Sequence, residues 1–88
     1  MVKVKLFANF REVAGKKEVE IDADSLEDLL VKLTEMFPKL KEMFFEGGKL
    51  RDYVHIMVGG KNIRGLKGLK TRLNENDVVA IFPPVSGG

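Results

Sequence analysis

Eighty-eight residues, 44% hydrophobic and 32% charged, describe one soluble globular domain with a small core. A formal net charge of +2 is too small to point to nucleic acid, which calls for clustered positive charge and usually a recognition motif. With no Cys and His55 as the only His, a disulfide framework, a thiol nucleophile, an iron–sulfur cluster and a Cys- or His-built metal site are excluded.

The N-terminus opens directly on an alternating segment. Val2, Val4, Leu6 and Ala8 share one face and Lys3, Lys5 and Phe7 the other, so residues 2–8 are predicted to form a half-buried strand. No secretory signal is visible there, and no apolar run approaches membrane-spanning length, so the expected location is the cytoplasm. Residues 9–16 lack a clean period and contain Gly15, which predicts a turn or loop. Residues 17–22 alternate again around Val19 and Ile21, completing a hairpin.

Asp24 or Ser25 can cap a helix by accepting a bond from an orphan backbone N–H. Glu27 and Asp28 suit the positive end of its dipole. Leu26, Leu29, Leu30, Leu33 and Phe37 follow at helical spacing and make one apolar stripe, which Pro38 terminates. Residues 39–46 allow a short second helix with Leu40, Met43 and Phe44 inward, stopped by Gly47 and Gly48. Residues 53–58 read as a strand with Ile56 and Val58 facing the core. Gly59-Gly60 is a hairpin turn leading to a short strand over 61–64. Residues 65–73 are irregular or hold one helical turn, and 74–77 form a turn. Val78 to Phe82 is a continuous apolar run, predicted to be a central strand buried on both faces.

The expected fold is therefore α+β, with one mixed sheet packed on one main helix, in a single domain over residues 1–88. Beyond the last strand stand Pro83, Pro84, Val85, Ser86, Gly87 and Gly88. Two prolines favour an extended exit, and two glycines strip the chain end of side chains. Such a flexible tail over 83–88 could reach ~20 Å and carry a carboxylate at its tip. The plain alternative is an idle, frayed terminus.

Three segments resemble a known family. They are Leu6-Phe7-Ala8-Asn9-Phe10-Arg11-Glu12 followed by Gly15, then Val58-Gly59-Gly60 with Gly65-Leu66, and the run from Asp77 through Phe82 to Gly88. Together they resemble the MoaD-type small subunit of molybdopterin synthase, within the MoaD/ThiS ubiquitin-like sulfur carriers. Asn76 and Gly59 depart from residues common there, in turns only. The resemblance implies a β-grasp (ubiquitin-like) fold with a mixed five-stranded sheet. It also implies that Gly88 is the working group. An E1-like, MoeB-type adenylyltransferase would use ATP to adenylate its carboxylate, and a persulfide sulfur donor would convert it to a thiocarboxylate. The MoaE-type large subunit of molybdopterin synthase would then pass the sulfur to cyclic pyranopterin monophosphate (precursor Z). No cofactor or metal bound by this chain is expected, nor any contact with nucleic acid or membrane.

A terminal carboxyl group, with a pKa of roughly 3.5, is an anion at neutral pH and a poor electrophile, so activation by a partner is chemically required. The chain shows no base, nucleophile or ligand set of its own and reads as a non-catalytic, sulfur-donating subunit. Phe7 and Phe82 are expected to form an aromatic docking patch. Ile63 fits either that patch or the core, and the resemblance brings Arg11 toward the activating enzyme. The basic run Lys61, Arg64, Lys67, Lys70 and Arg72 is read first as a solvated face and second as steering toward an acidic partner. His55 and Ser86 receive no role. Rival readings are a protein modifier conjugated through Gly88, a carrier of the thiamine pathway, and a plain binding module that needs no tail.

Overall fold

The computed structural model describes residues 1–83, so the expectations for Pro84 to Gly88 lie outside the described residues. Strand β1 (Val2–Leu6) alternates as expected, with Val2, Val4 and Leu6 at 1% exposure or less. It ends two residues early. The chain turns at Ala8 (φ 52) into helix α1 (Ala8–Ala14). This corrects the loop expected over residues 9–16. Phe10 is the one buried residue of α1, which is too few to print a helical period on the sequence. Tertiary packing of Phe10 against the Phe44 ring holds the helix instead. Gly15 closes it in the left-handed conformation (φ 75), donating its N–H to the carbonyl of Arg11 at 2.8 Å.

Strand β2 (Glu18–Ile21) pairs antiparallel with β1 and completes the expected hairpin, α1 being inserted in its connection. Helix α2 (Leu26–Met36) starts at Ser25, whose Oγ accepts from the Asp28 N–H at 3.1 Å. Leu26, Leu29, Leu30 and Leu33 are buried under the sheet, as their spacing requires. Helix α3 (Pro38–Phe44) uses Pro38 in its first turn and buries Leu40 and Phe44. Gly47 and Gly48 do more than stop it: both have positive φ and turn a small hairpin, β3 (Phe45–Glu46) with β4 (Lys49–Leu50).

Strand β5 (His55–Val58) is shorter than expected, and Gly59-Gly60 turn it into β6 (Lys61–Asn62). Two 3-10 turns, Ile63–Gly65 and Gly68–Lys70, fill the segment; the first replaces expected strand, and the second is the one helical turn allowed over residues 65–73. Strand β7 (Val78–Phe82) runs parallel to β1 and antiparallel to β5, giving the five-stranded order β2-β1-β7-β5-β6. The fold is thus the mixed-sheet α+β architecture expected. β7 is central but not buried on both faces. Val79 and Ile81 are fully buried, whereas Val78 is 38% exposed and Ala80 and Phe82 are half-buried. The helices cover one side of the sheet only, so the apolar residues of opposite parity line its open side.

Candidate functional site

The open side of the sheet and the exit of β7 meet at two aromatic rings. Because β1 and β7 are parallel with Leu6 opposite Ile81, Phe7 and Phe82 fall side by side just beyond that pair. Their rings stack with centroids 4.4 Å apart and planes 12° from parallel. Aromatic pairs prefer such close contact when the rings are offset. Both rings are half-buried, so their outer faces remain available to a partner.

Arg11 extends the stack. The second turn of α1 brings its guanidinium carbon to 5.7 Å from the Phe7 ring centroid, where a cation is attracted to the π face. Its Nε donates to the carbonyl of Leu6 at 3.2 Å. Among the described residues no carboxylate lies within 4.0 Å of it. A planar cation held this way, with its remaining N–H groups outward, suits bidentate pairing with a partner's carboxylate.

Three of the four residues expected to bind partners therefore come together: Phe7, Arg11 and Phe82. Ile63 does not join them. It is 4% exposed and belongs to the core, because the 3-10 turn that replaces the second half of the expected strand rolls its side chain inward. Ile81 is likewise fully buried, pointing to the helical side of β7.

The structure adds surface that sequence reasoning missed. His55 stands opposite Phe82 and Met57 opposite Ala80 across the β5–β7 pair, and Lys5 flanks Ala80 from β1. Val78, Ala80, Phe82, Phe7 and Met57 thus make an apolar strip edged by Lys3 and Lys5, with Lys3 bridged to Glu18 at 3.5 Å. Period-two parity within residues 78–82 was the available signal, hidden by the uniformly apolar run. On the other side of the exit, Asn9, Phe10, Glu42, Met43, Tyr53 and Pro83 line a cleft of about 370 Å³. So Pro83, the last described residue, leaves the sheet between an aromatic patch and an amphipathic cleft.

Among the described residues no three of His, Cys, Asp and Glu cluster in a way that would hold a metal ion, and no helix is long and apolar enough to cross a membrane.

Comparison with known proteins agrees in both sequence and shape. The family model described as the ThiS family matches residues 4–88. Small archaeal modifier protein 3 of Haloferax volcanii is 33% identical over 99% of this chain and 98% of its own length. The molybdopterin synthase sulfur carrier subunit of Dictyostelium discoideum is 34% identical over 98% and 94%. The solution structure of small archaeal modifier protein 1 from Methanosarcina acetivorans superimposes with a TM-score of 0.90 at 45% identity, covering 99% of this chain and 95% of that one. A shared β-grasp frame, together with a match that runs through the last residue, means that the chain belongs to the ThiS family of ubiquitin-like sulfur carriers.

Proposed function

We propose that this protein carries sulfur as a thiocarboxylate on Gly88 and delivers it in molybdopterin synthesis. The observation that supports this most directly is the position of the chain's exit. It leaves the end of the central strand, beside Phe7, Phe82 and Arg11, and the family match continues through the Gly87-Gly88 end. A partner that grips the aromatic patch is thereby close to whatever chemistry occurs on the residues that follow.

The chemistry is then set by the carboxylate. An activating enzyme of E1 type lets the Gly88 carboxylate attack the α-phosphate of ATP, releasing pyrophosphate and leaving an acyl-adenylate. The terminal sulfur of a protein persulfide attacks that carbonyl carbon and AMP departs. A thiol then cleaves the resulting acyl disulfide, freeing the thiocarboxylate. The large subunit of molybdopterin synthase accepts the tail and transfers the sulfur to precursor Z. This chain contributes affinity and the sulfur, and its partners contribute the catalytic groups.

Reconstitution with the activating enzyme, ATP and a persulfide donor tests the first half. Intact-mass analysis should show one oxygen replaced by sulfur, with the exchange mapped to Gly88. Single-turnover assay of that form with the large subunit and precursor Z tests the second half, and absence of product would remove the molybdopterin assignment.

A second reading is favoured by the modifier proteins among the relatives. The same acyl-adenylate can be captured by a lysine amine, releasing AMP and joining the whole chain to the target through an isopeptide bond at Gly88. Proteomic recovery of target lysines that carry residues 73–88 after tryptic cleavage at Arg72, with no thiocarboxylate form present, would replace the first reading by this one.

A further inference from the structure

We propose that residues 61–72, at the β6 edge of the sheet, form a docking surface for an acidic protein partner that presents an apolar side chain flanked by carboxylates. The run holds five cations, Lys61, Arg64, Lys67, Lys70 and Arg72, and no acid. All five are exposed, and among the described residues none pairs with a carboxylate within 4.0 Å. Removing this +5 from the chain's +2 leaves −3 for everything else. The opposite edge of the sheet, β2, exposes Glu18 and Glu20 instead. The positive charge is thus concentrated in this run, and an approaching acidic surface is oriented toward it before contact.

Charge alone would not define a site, but the basic run encloses an apolar one. Leu66 is 38% exposed between Lys67 and Arg64. Gly65, Leu66, Lys67, Thr71 and Arg72 line a depression of about 450 Å³. The backbone beside the depression is tied to its neighbours. Thr71 accepts the Leu26 N–H at 2.9 Å, and Leu73 donates to the carbonyl of Asp24 at 3.0 Å, pinning the segment to the start of α2. Arg64 is tied through its guanidinium to the carbonyl of Asp52, and Ile63 anchors the first turn in the core. An apolar anchor flanked by Lys67 and Arg72 fits a side chain such as leucine between Asp and Glu residues.

A protein fits this surface better than a nucleic acid does. Residues 61–72 contain no aromatic ring on which a base would stack. A polyanion long enough to extend past them would meet the net negative remainder of the molecule. The surface is separate from the Phe7–Phe82 patch and owes nothing to the fate of Gly88.

The test is an amide NMR titration of the full chain with the capped peptide Asp-Glu-Leu-Glu-Asp. Shifts confined to Leu66, Lys67, Lys70, Arg72 and their neighbours are expected. Replacing the peptide's leucine by serine should weaken binding about tenfold. The triple variant Lys67→Glu/Lys70→Glu/Arg72→Glu should abolish the shifts while the spectrum stays folded, and salt near 1 M should suppress them, since screening there acts within about 3 Å. Absence of localised shifts at millimolar peptide, equal binding of the serine peptide, or tighter binding of a single-stranded oligonucleotide would each overturn the proposal. So would concentration-dependent shifts at these residues without peptide, because the acidic edge of a second copy would then be the occupant.

Discussion

Phe10 and Phe44 meet edge to face, their ring centroids 4.9 Å apart and their planes at 88°. This contact joins the weakest-patterned helix of the chain to α3, and both rings are essentially without solvent contact. Phe10→Ala removes one ring and leaves a cavity under α1. The expected loss is about 3–5 kcal/mol, a large part of the stability of a domain this size. Chemical denaturation of wild type and variant measures it. A loss below about 1 kcal/mol would mean that α1 is not docked as described.

The stacked pair Phe7 and Phe82 should behave differently. Each is half-buried, so single alanine variants are expected to remain folded. A double-mutant cycle on stability should give a coupling of about 0.5–1.5 kcal/mol for the ring contact. In partner binding the same variants should act as anchors, costing at least tenfold in affinity each, about 1.4 kcal/mol or more. Isothermal titration with the activating enzyme or the large subunit reads this directly.

Gly15 offers a clean test of backbone conformation. A Cβ built there meets nothing within 4 Å, yet φ is 75. Gly15→Ala should therefore destabilise by about 1 kcal/mol through strain alone, lowering Tm by roughly 4–8 °C. Gly15→Asn should recover part of that loss, because Asn tolerates the left-handed region better.

Ser25→Ala removes the side-chain acceptor of the Asp28 N–H. A cost of about 1 kcal/mol is expected, and Ser25→Asp should be close to neutral. Thermal unfolding by circular dichroism distinguishes the two variants.

Appending a single residue after Gly88 should leave Tm unchanged and prevent thiocarboxylate formation, read by intact mass after incubation with activating enzyme, ATP and donor. Normal sulfur loading of the extended chain would contradict the carrier chemistry proposed for Gly88.

How far the sequence could be read followed from how strongly each segment was constrained. Helix α2 buries four leucines on one stripe and carries its own cap, so its extent was visible to within a residue at its start. Helix α1 buries one residue and depends on a ring that lies more than thirty positions away, so nothing local announced it. Ile63 looked equally suited to surface or core, because its fate rests on a 3-10 turn that no periodicity encodes. In β7 an all-apolar sequence hid a one-sided burial: Val78, Ala80 and Phe82 have no helical layer above them. The pairing of Phe7 with Phe82 was legible only as a shared chemistry, since the register that joins them comes from the parallel β1–β7 ladder.

That ladder has a mechanical meaning as well. β7 is held along its length by β1 on one flank and β5 on the other, and the chain departs from its end. A pull on the exit, such as a partner drawing the terminal residues into a channel, loads both ladders in shear, many backbone bonds at once, and does not peel them one by one. The domain can thus be towed by its end without unravelling, which is what repeated capture and release between two machines would demand of it.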